Sequence, residues 1–369
     1  MSRQKKKILI CGGGTGGHLY PALAVADALR KIDNRIDILF VGAKGKIEES
    51  KVPAAGYNIE LLPVRGFARR LTFKNLSFFT KLIKSLWLSR KIVKRFAPDA
   101  VIGVGGYAAG PVGYIAAKRG IPLLIQEQNS YPGVTNKLLA RKAQKICVAY
   151  KETERFFPKQ KMILTGNPVR ESLLQTNISQ QEAKQHLGFD ADKKLIISLG
   201  GSGGAKSINE GIAEHLQLIA DSDIQLLWQT GAFYYESFRA FAEKFDSKQI
   251  KATAFVERMD IAYRAADIVI SRAGAGTVSE LCLLKKPAVL VPSPYVAEDH
   301  QSKNAQALTQ SGAALHIKDS DCKAHLLPKT IEALKDQVLL ESLAENIYKH
   351  ARHNSAQRIA QELLELTEH

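Results

Sequence analysis

The strongest constraint on the fold of this chain is an alternation of two patterns. Short apolar runs, KILI, IDILFVG, IELLPV, AVIGVGG, PLLIQEQ, KICVAY and MILTGNP, are separated by segments such as ALAVADALRK, whose apolar residues recur at three and four positions. Strand-length runs joined by helix-period segments predict βαβ units, and therefore a parallel sheet covered by helices. The rhythm restarts with LIISLGG, IQLLWQTG, IKATAFV, ADIVISRAG, PAVLVPSP and AALHI. Two α/β domains in tandem are expected, and 369 residues suffice for two cores. Gly166, Asn167 and Pro168 punctuate the pattern within TGNPVRESL and mark the boundary. The expected division is residues 1–168, residues 169–349, and a C-terminal helix over residues 350–369 that packs back on the first domain.

Several strands end in glycine clusters: GGGTGG at 12–17, GVGGYAAG at 103–110 and GGSGG at 200–204. Each sets bare backbone N–H groups and a helix N-terminus where an anion can approach, or simply permits tight packing of strand on helix. Gly12, Gly14 and Gly17 satisfy the dinucleotide pattern G-x-G-x-x-G, but that reading also needs an acid at the end of the next strand, and FVGAKG has none. A P-loop needs Gly-Lys-Ser/Thr, whereas the clusters lead into Gly17-His18-Leu19 and Ala205-Lys206-Ser207. His18 stands where the first helix begins. A histidine there is either a packing or capping residue or a general base, and a helix N-terminus disfavours the protonated ring, which suits a base. Another turn, SRAGAGTVSE at 271–280, places Gly274, Ala275, Gly276 and Thr277 at a helix start, with Glu280 one turn in. That carboxylate serves either as a two-bond acceptor for a ribose diol or as an ordinary first-turn acid.

Charge is uneven. Residues 1–170 hold 31 Lys and Arg against 10 Asp and Glu, and residues 171–369 hold 21 against 26. The first half therefore suits a polyanion, either nucleic acid or an anionic membrane surface. Residues 65–96 carry ten Lys and Arg and no acid. Phe79, Leu82, Ile83, Leu86 and Trp87 fall at roughly helical spacing among Lys81 and Lys84, the pattern of a helix lying in a lipid headgroup region. No familiar nucleic-acid module appears, so nucleic acid is not an expected partner. The four cysteines are scattered without metal-ligand spacing, which predicts reduced thiols and no metal site.

The segments GGGTGGHLYPALAVA, GVGGYAAGP, QEQN, TGNPVR, GGSGGA, SRAGAGTVSE and EDHQSKNA occur in the order found in the MurG family of peptidoglycan glycosyltransferases. The chain resembles that family from about residue 7 to beyond residue 300. The resemblance implies a GT-B architecture, two Rossmann-like domains with parallel sheets facing a cleft. It also implies inverting transfer of N-acetylglucosamine from UDP-N-acetylglucosamine to the muramyl C4 hydroxyl of lipid I, without a cofactor, at the cytoplasmic side of the cell membrane. Carried over residue by residue, it implies donor contacts at Thr15, Gly16, Gly17, Asn129, Arg170, Ser202, Val256, Gly274, Ala275, Gly276, Thr277, Val278, Ser279, Glu280 and Gln301. Gly14, Gly105, Gly106 and Tyr107 would then face the acceptor pyrophosphate, His18 would be the base, and the basic segment would meet the anionic leaflet.

Overall fold

The structure, a computed structural model, describes residues 5–64, 76–201, 203–296 and 299–368. It divides into two compact units, the first made of residues 1–170 and 353–369 and the second of residues 171–352.

In the first unit β1 (Lys7–Cys11), α1 (Gly16–Ile32), β2 (Asp37–Ala43), α2 (Glu48–Ala54), β3 (Asn58–Leu62) and α3 (Leu76–Phe96) are followed by β4 (Ala100–Gly103), α4 (Ala109–Lys118), β5 (Leu123–Glu127), α5 (Val134–Ala140), β6 (Lys145–Val148) and β7 (Met162–Leu164). The second unit runs α6 (Gln180–His186), β8 (Lys194–Leu199), α7 (Lys206–Ala213), α8 (Leu216–Ala220), β9 (Ile224–Gln229), α9 (Tyr235–Ala242), β10 (Ile250–Thr253) and α10 (Met259–Ala265), then β11 (Ile268–Ser271), α11 (Ala275–Leu283), β12 (Ala288–Leu290), α12 (His300–Thr309), β13 (Leu315–His316), α13 (Cys322–Lys335) and α14 (Gln337–Tyr348). The last helix, α15 (Ser355–Glu365), belongs to the first unit and packs on α1. All thirteen apolar runs named above form strands.

The first sheet has the order β3-β2-β1-β4-β5-β6-β7 and the second β10-β9-β8-β11-β12-β13, with every pairing parallel. Strands covered on both faces read as continuous apolar runs. In β1, Ile8 and Ile10 enter the core shared with α1 and α15, while Leu9 and Cys11 enter the core under α3 and α4. Period-two geometry thus divides one run between two cores. All four cysteines are buried and unpaired. Burial pushes the Cys11, Cys147 and Cys282 thiols up to about 12, so they pack as neutral groups.

Candidate active site

In open parallel sheets, ligands bind beyond the carboxyl ends of the strands where the strand order reverses. Here that point lies between β1 and β4 in the first unit and between β8 and β11 in the second. The four glycine turns of the sequence follow those four strands.

In the first unit the turns after β1 and β4 are packed against each other. The Gly13 amide donates to Gly105 O at 3.3 Å, and Val104 N donates to Cys11 O at 2.9 Å. Gly105 and Gly106 have φ of +89° and +82°, a region that side chains rarely adopt. A Cβ on Gly106 would collide with the Gly13 carbonyl, and one on Gly105 would stand 2.9 Å from Cε1 of His18. Glycine is therefore what lets the second turn close over the first and against the histidine ring. Thr15 caps α1 without a side-chain bond, so the first amides of the helix, at Gly16 and Gly17, have no partner one turn back. His18 is the third residue of α1, and its Nδ1 lies 3.0 Å from Gln128 Oε1. Tyr107 is exposed beside this edge.

The acid absent from the end of β2 is supplied five residues later. Glu48, the first residue of α2, is 1% exposed. Its two carboxylate oxygens each accept from Gly14 N at 3.0 Å, and Oε1 also accepts from Ala43 N at 2.9 Å. The Gly14 amide, expected to face a pyrophosphate, is thus occupied by an internal carboxylate. The same bonds place an anion under the turn, where a dinucleotide would otherwise sit.

Asn129 follows β5 and is held by Glu127, which accepts from Asn129 N at 3.0 Å, from Gly133 N at 3.2 Å and from Asn136 Nδ2 at 2.8 Å. Arg170 stacks its guanidinium 4.4 Å over the Tyr20 ring, and its buried Nε has no hydrogen-bond partner. It groups with the first unit.

In the second unit, Ser202 lies outside the described residues. The turn after β11 is braced from behind. Arg272 reaches Val291 O at 3.2 Å, Ser207 Oγ at 3.0 Å and the Asp319 carboxylate, and Asn304 Nδ2 donates to Ala273 O at 3.1 Å. Gly274 caps α11 with no side-chain bond, and the helix-start amides of Gly276 and Thr277 have no carbonyl one turn back within the helix. Val278 departs from its expected role, because its side chain is buried and its amide donates to Gly274 O at 2.9 Å within the helix. Ser279 turns its hydroxyl back to Ala275 O at 2.9 Å. Glu280 is half-buried, and its Oε2 accepts from Tyr263 OH at 2.8 Å. Val256 is buried, while Phe255 beside it is exposed. Gln301, second in α12, accepts from Ser293 N at 2.9 Å through Oε1, so its NH2 group remains to donate. Among the described residues no group of three His, Cys, Asp or Glu is placed to hold a metal ion.

The basic segment is divided. Residues 65–75 and the side chain of Phe79 lie outside what is described. Along α3, Leu86, Leu88, Ile92 and Val93 pack on the core, with Leu82 and Lys81 half-buried. Leu86 therefore faces inward rather than toward lipid. Ile83 and Trp87 stand 68% and 62% exposed with Lys84 beside them, and Lys91 Nζ lies 5.7 Å from the Trp87 ring. The neighbouring α4 and α5 add exposed Tyr114, Val134 and Leu138, with Lys118 and Lys142 each within 5.7 Å of the Tyr114 ring. Among the described residues no helix is long and apolar enough to cross a membrane.

Sequence reasoning missed residues that support the site from behind: Glu48 holds Gly14, Gln128 meets His18, Tyr263 donates to Glu280, Asn136 donates to the Glu127 that holds Asn129, and Arg272 braces the turn after β11. QEQN did contain Gln128, but nothing in its letters showed which way the amide faces.

Comparison with known proteins fits this geometry. Residues 8–148 match the glycosyltransferase family 28 N-terminal domain and residues 195–363 the family 28 C-terminal domain. A Phocaeicola vulgatus protein named UDP-N-acetylglucosamine–N-acetylmuramyl-(pentapeptide) pyrophosphoryl-undecaprenol N-acetylglucosamine transferase is 53% identical, over 98% of this chain and 96% of its own length. Its namesake from Parabacteroides distasonis is 49% identical over 98% and 99%. The crystal structure of Acinetobacter baumannii MurG aligns with a TM-score of 0.75 at 30% identity, covering 98% of this chain and 99% of that one. A Neisseria meningitidis UDP-GlcNAc 2-epimerase aligns at 0.67 with 13% identity, a likeness of fold alone.

Proposed function

Because the chain belongs to the MurG family of family 28 glycosyltransferases, we propose how its residues carry out the family's reaction. The enzyme transfers N-acetylglucosamine from UDP-N-acetylglucosamine to the C4 hydroxyl of the muramyl sugar of lipid I, with inversion, giving lipid II. The observation that carries the assignment of roles is that all four glycine turns fall at the two points where strand order reverses.

His18 takes the proton from the acceptor hydroxyl as its oxygen bonds to the sugar C1 and the bond from C1 to UDP breaks. The amides at the starts of α7 and α11 hold the donor diphosphate, and their dipoles meet the negative charge that develops on UDP. Arg170 is the positive charge that the family resemblance assigns to the donor phosphates. This oriented charge stabilises the leaving group without calling on a divalent ion. Glu280, steadied by Tyr263, takes the ribose; the Val256 backbone meets uracil; the Gln301 NH2 group donates to a sugar hydroxyl, and Asn129 reaches the same sugar. Gly105, Gly106 and Tyr107 face the acceptor pyrophosphate, with Gly14 giving shape rather than its amide.

Transfer of labelled sugar from UDP-N-acetylglucosamine to a lipid I analogue tests the reading. Labelled disaccharide product is expected, and its absence with active acceptor present overturns it.

The exposed face of α3 to α5 docks on the anionic cytoplasmic leaflet, with Ile83 and Trp87 entering the headgroup region and Lys84 and Lys91 meeting lipid charge. In vesicle sedimentation, Ile83→Glu with Trp87→Glu is expected to abolish binding to anionic vesicles and to spare transfer to a water-soluble acceptor. Equal sedimentation with neutral and anionic vesicles would overturn the proposal.

A further inference from the structure

The direction of the bond between His18 and Gln128 follows from the amides behind it. Two backbone carbonyls, which can only accept, anchor that chain of amides. Val104 O lies 2.9 Å from Gln128 Nε2, so that end of Gln128 is its NH2 group. The backbone oxygen of Gln128 accepts from Asn167 Nδ2 at 3.1 Å, so Asn167 turns its Oδ1 toward Gln126 Nε2, 3.2 Å away. Gln126 in turn presents Oε1 to Gln128 Nε2. Both anchors give the same answer. Rotating the Gln128 amide would set its oxygen against two other acceptors, and Gln126 and Gln128 are 0% and 2% exposed, so water cannot repair the mismatch.

We propose that Gln128 is a positioning residue that fixes His18 as the Nδ1–H tautomer and so reserves the Nε2 lone pair for the acceptor hydroxyl. An oxygen 3.0 Å from Nδ1 accepts only if that nitrogen carries the proton. A neutral ring has one such proton, so Nε2 is left as the base. A Cβ on Gly105 would stand 3.0 Å from Nδ1, so glycine there leaves the ring its place. A carboxylate in place of Gln128 would orient the ring equally well but would also stabilise the imidazolium by a full charge. A neutral amide sets the tautomer without holding the proton once it is taken. The inference rests on His18 as the base, and its tests separate the two claims.

Long-range 1H–15N spectra of the full chain, with the His18 signals assigned by their loss in His18→Ala, read the tautomer directly. The expected spectrum has a protonated Nδ1 and a bare Nε2; a protonated Nε2 on the neutral ring overturns the proposal. This measurement needs no variant that might fail to fold. In Gln128→Met the ring is expected to move toward the Nε2–H form. Its kcat is expected to fall at least about 10-fold with KM for UDP-N-acetylglucosamine held, short of the roughly 10⁴-fold loss that a wrong tautomer causes in serine proteases. Placed on His18→Ala, the same substitution is expected to cost nothing further, because it acts through the missing ring. An equal loss in both backgrounds refutes a role through His18. If His18→Ala leaves turnover intact while the spectra show the Nδ1–H form, the base assignment falls and the positioning of the ring stands.

Discussion

Replacing His18 by alanine is expected to lower kcat by about 10²- to 10⁴-fold, the usual worth of a positioned general base, while UDP binds as before. The split between rate and affinity is the informative part. The ring is tied to the first unit through Gln128, whereas the turns assigned to the donor diphosphate and ribose follow β8 and β11 of the second unit. Removing the ring therefore deletes a proton acceptor and leaves the residues of those turns unchanged. It also leaves Gln128 Oε1 without its partner, a cost of about 1 kcal/mol in stability, too small to explain a loss of several orders in rate. Single-turnover transfer and calorimetric titration with UDP measure the two quantities. An unchanged kcat removes His18 as the base, and a loss confined to UDP affinity makes it a binding residue.

The second large effect is expected at Glu48. Glu48→Ala strips the acceptor from the buried Ala43 amide and the half-buried Gly14 amide, and an unmade buried donor costs about 1–3 kcal/mol. The first unit should lose roughly 3 kcal/mol of stability, and the turn that leads into His18 loses the anchor that fixes it. Turnover falls with it. Glu48→Gln keeps the shape and one acceptor oxygen but gives up the charge that strengthens bonds to amides, so an intermediate loss is expected. Thermal unfolding, hydrogen exchange at Gly14 and kcat report on the same event. If Glu48→Ala melts and turns over like the wild type, the carboxylate is not what holds the turn.

The two cases show what the linear sequence reveals and what it withholds. Strand positions, the restart of the βαβ rhythm and the glycine turns are written in neighbouring residues, so each apolar run became a strand. The places of His18 and Glu280, in the first turns of α1 and α11, were legible because local pattern fixes where those helices begin. The supports were not legible. Glu48 reaches a turn 34 residues earlier, and Gln128 meets a ring 110 residues earlier, contacts that only the parallel pairing of strands creates. Helical spacing placed Leu86 among the lipid-facing residues and the resemblance placed Val278 among the donor contacts, but neither shows which side chains turn inward, as these two do. The acid judged missing after β2 was present in the next helix, outside the window in which a dinucleotide motif places it.

The return of α15 to the first unit bears on the order in which the molecule is made. Ala356, Ile359, Ala360 and Leu363 sit in the same core as Ile8 and Ile10, and Lys145 pairs with Glu362 at 2.7 Å. A ribosome releases residues 171–352 as an unbroken stretch with its own core, but the unit begun first lacks one wall until residues 355–365 emerge. Domains that emerge whole fold as they appear. Here the second unit can finish first, and the one bearing the proposed base waits for α15, exposing apolar surface while residues 171–352 are made.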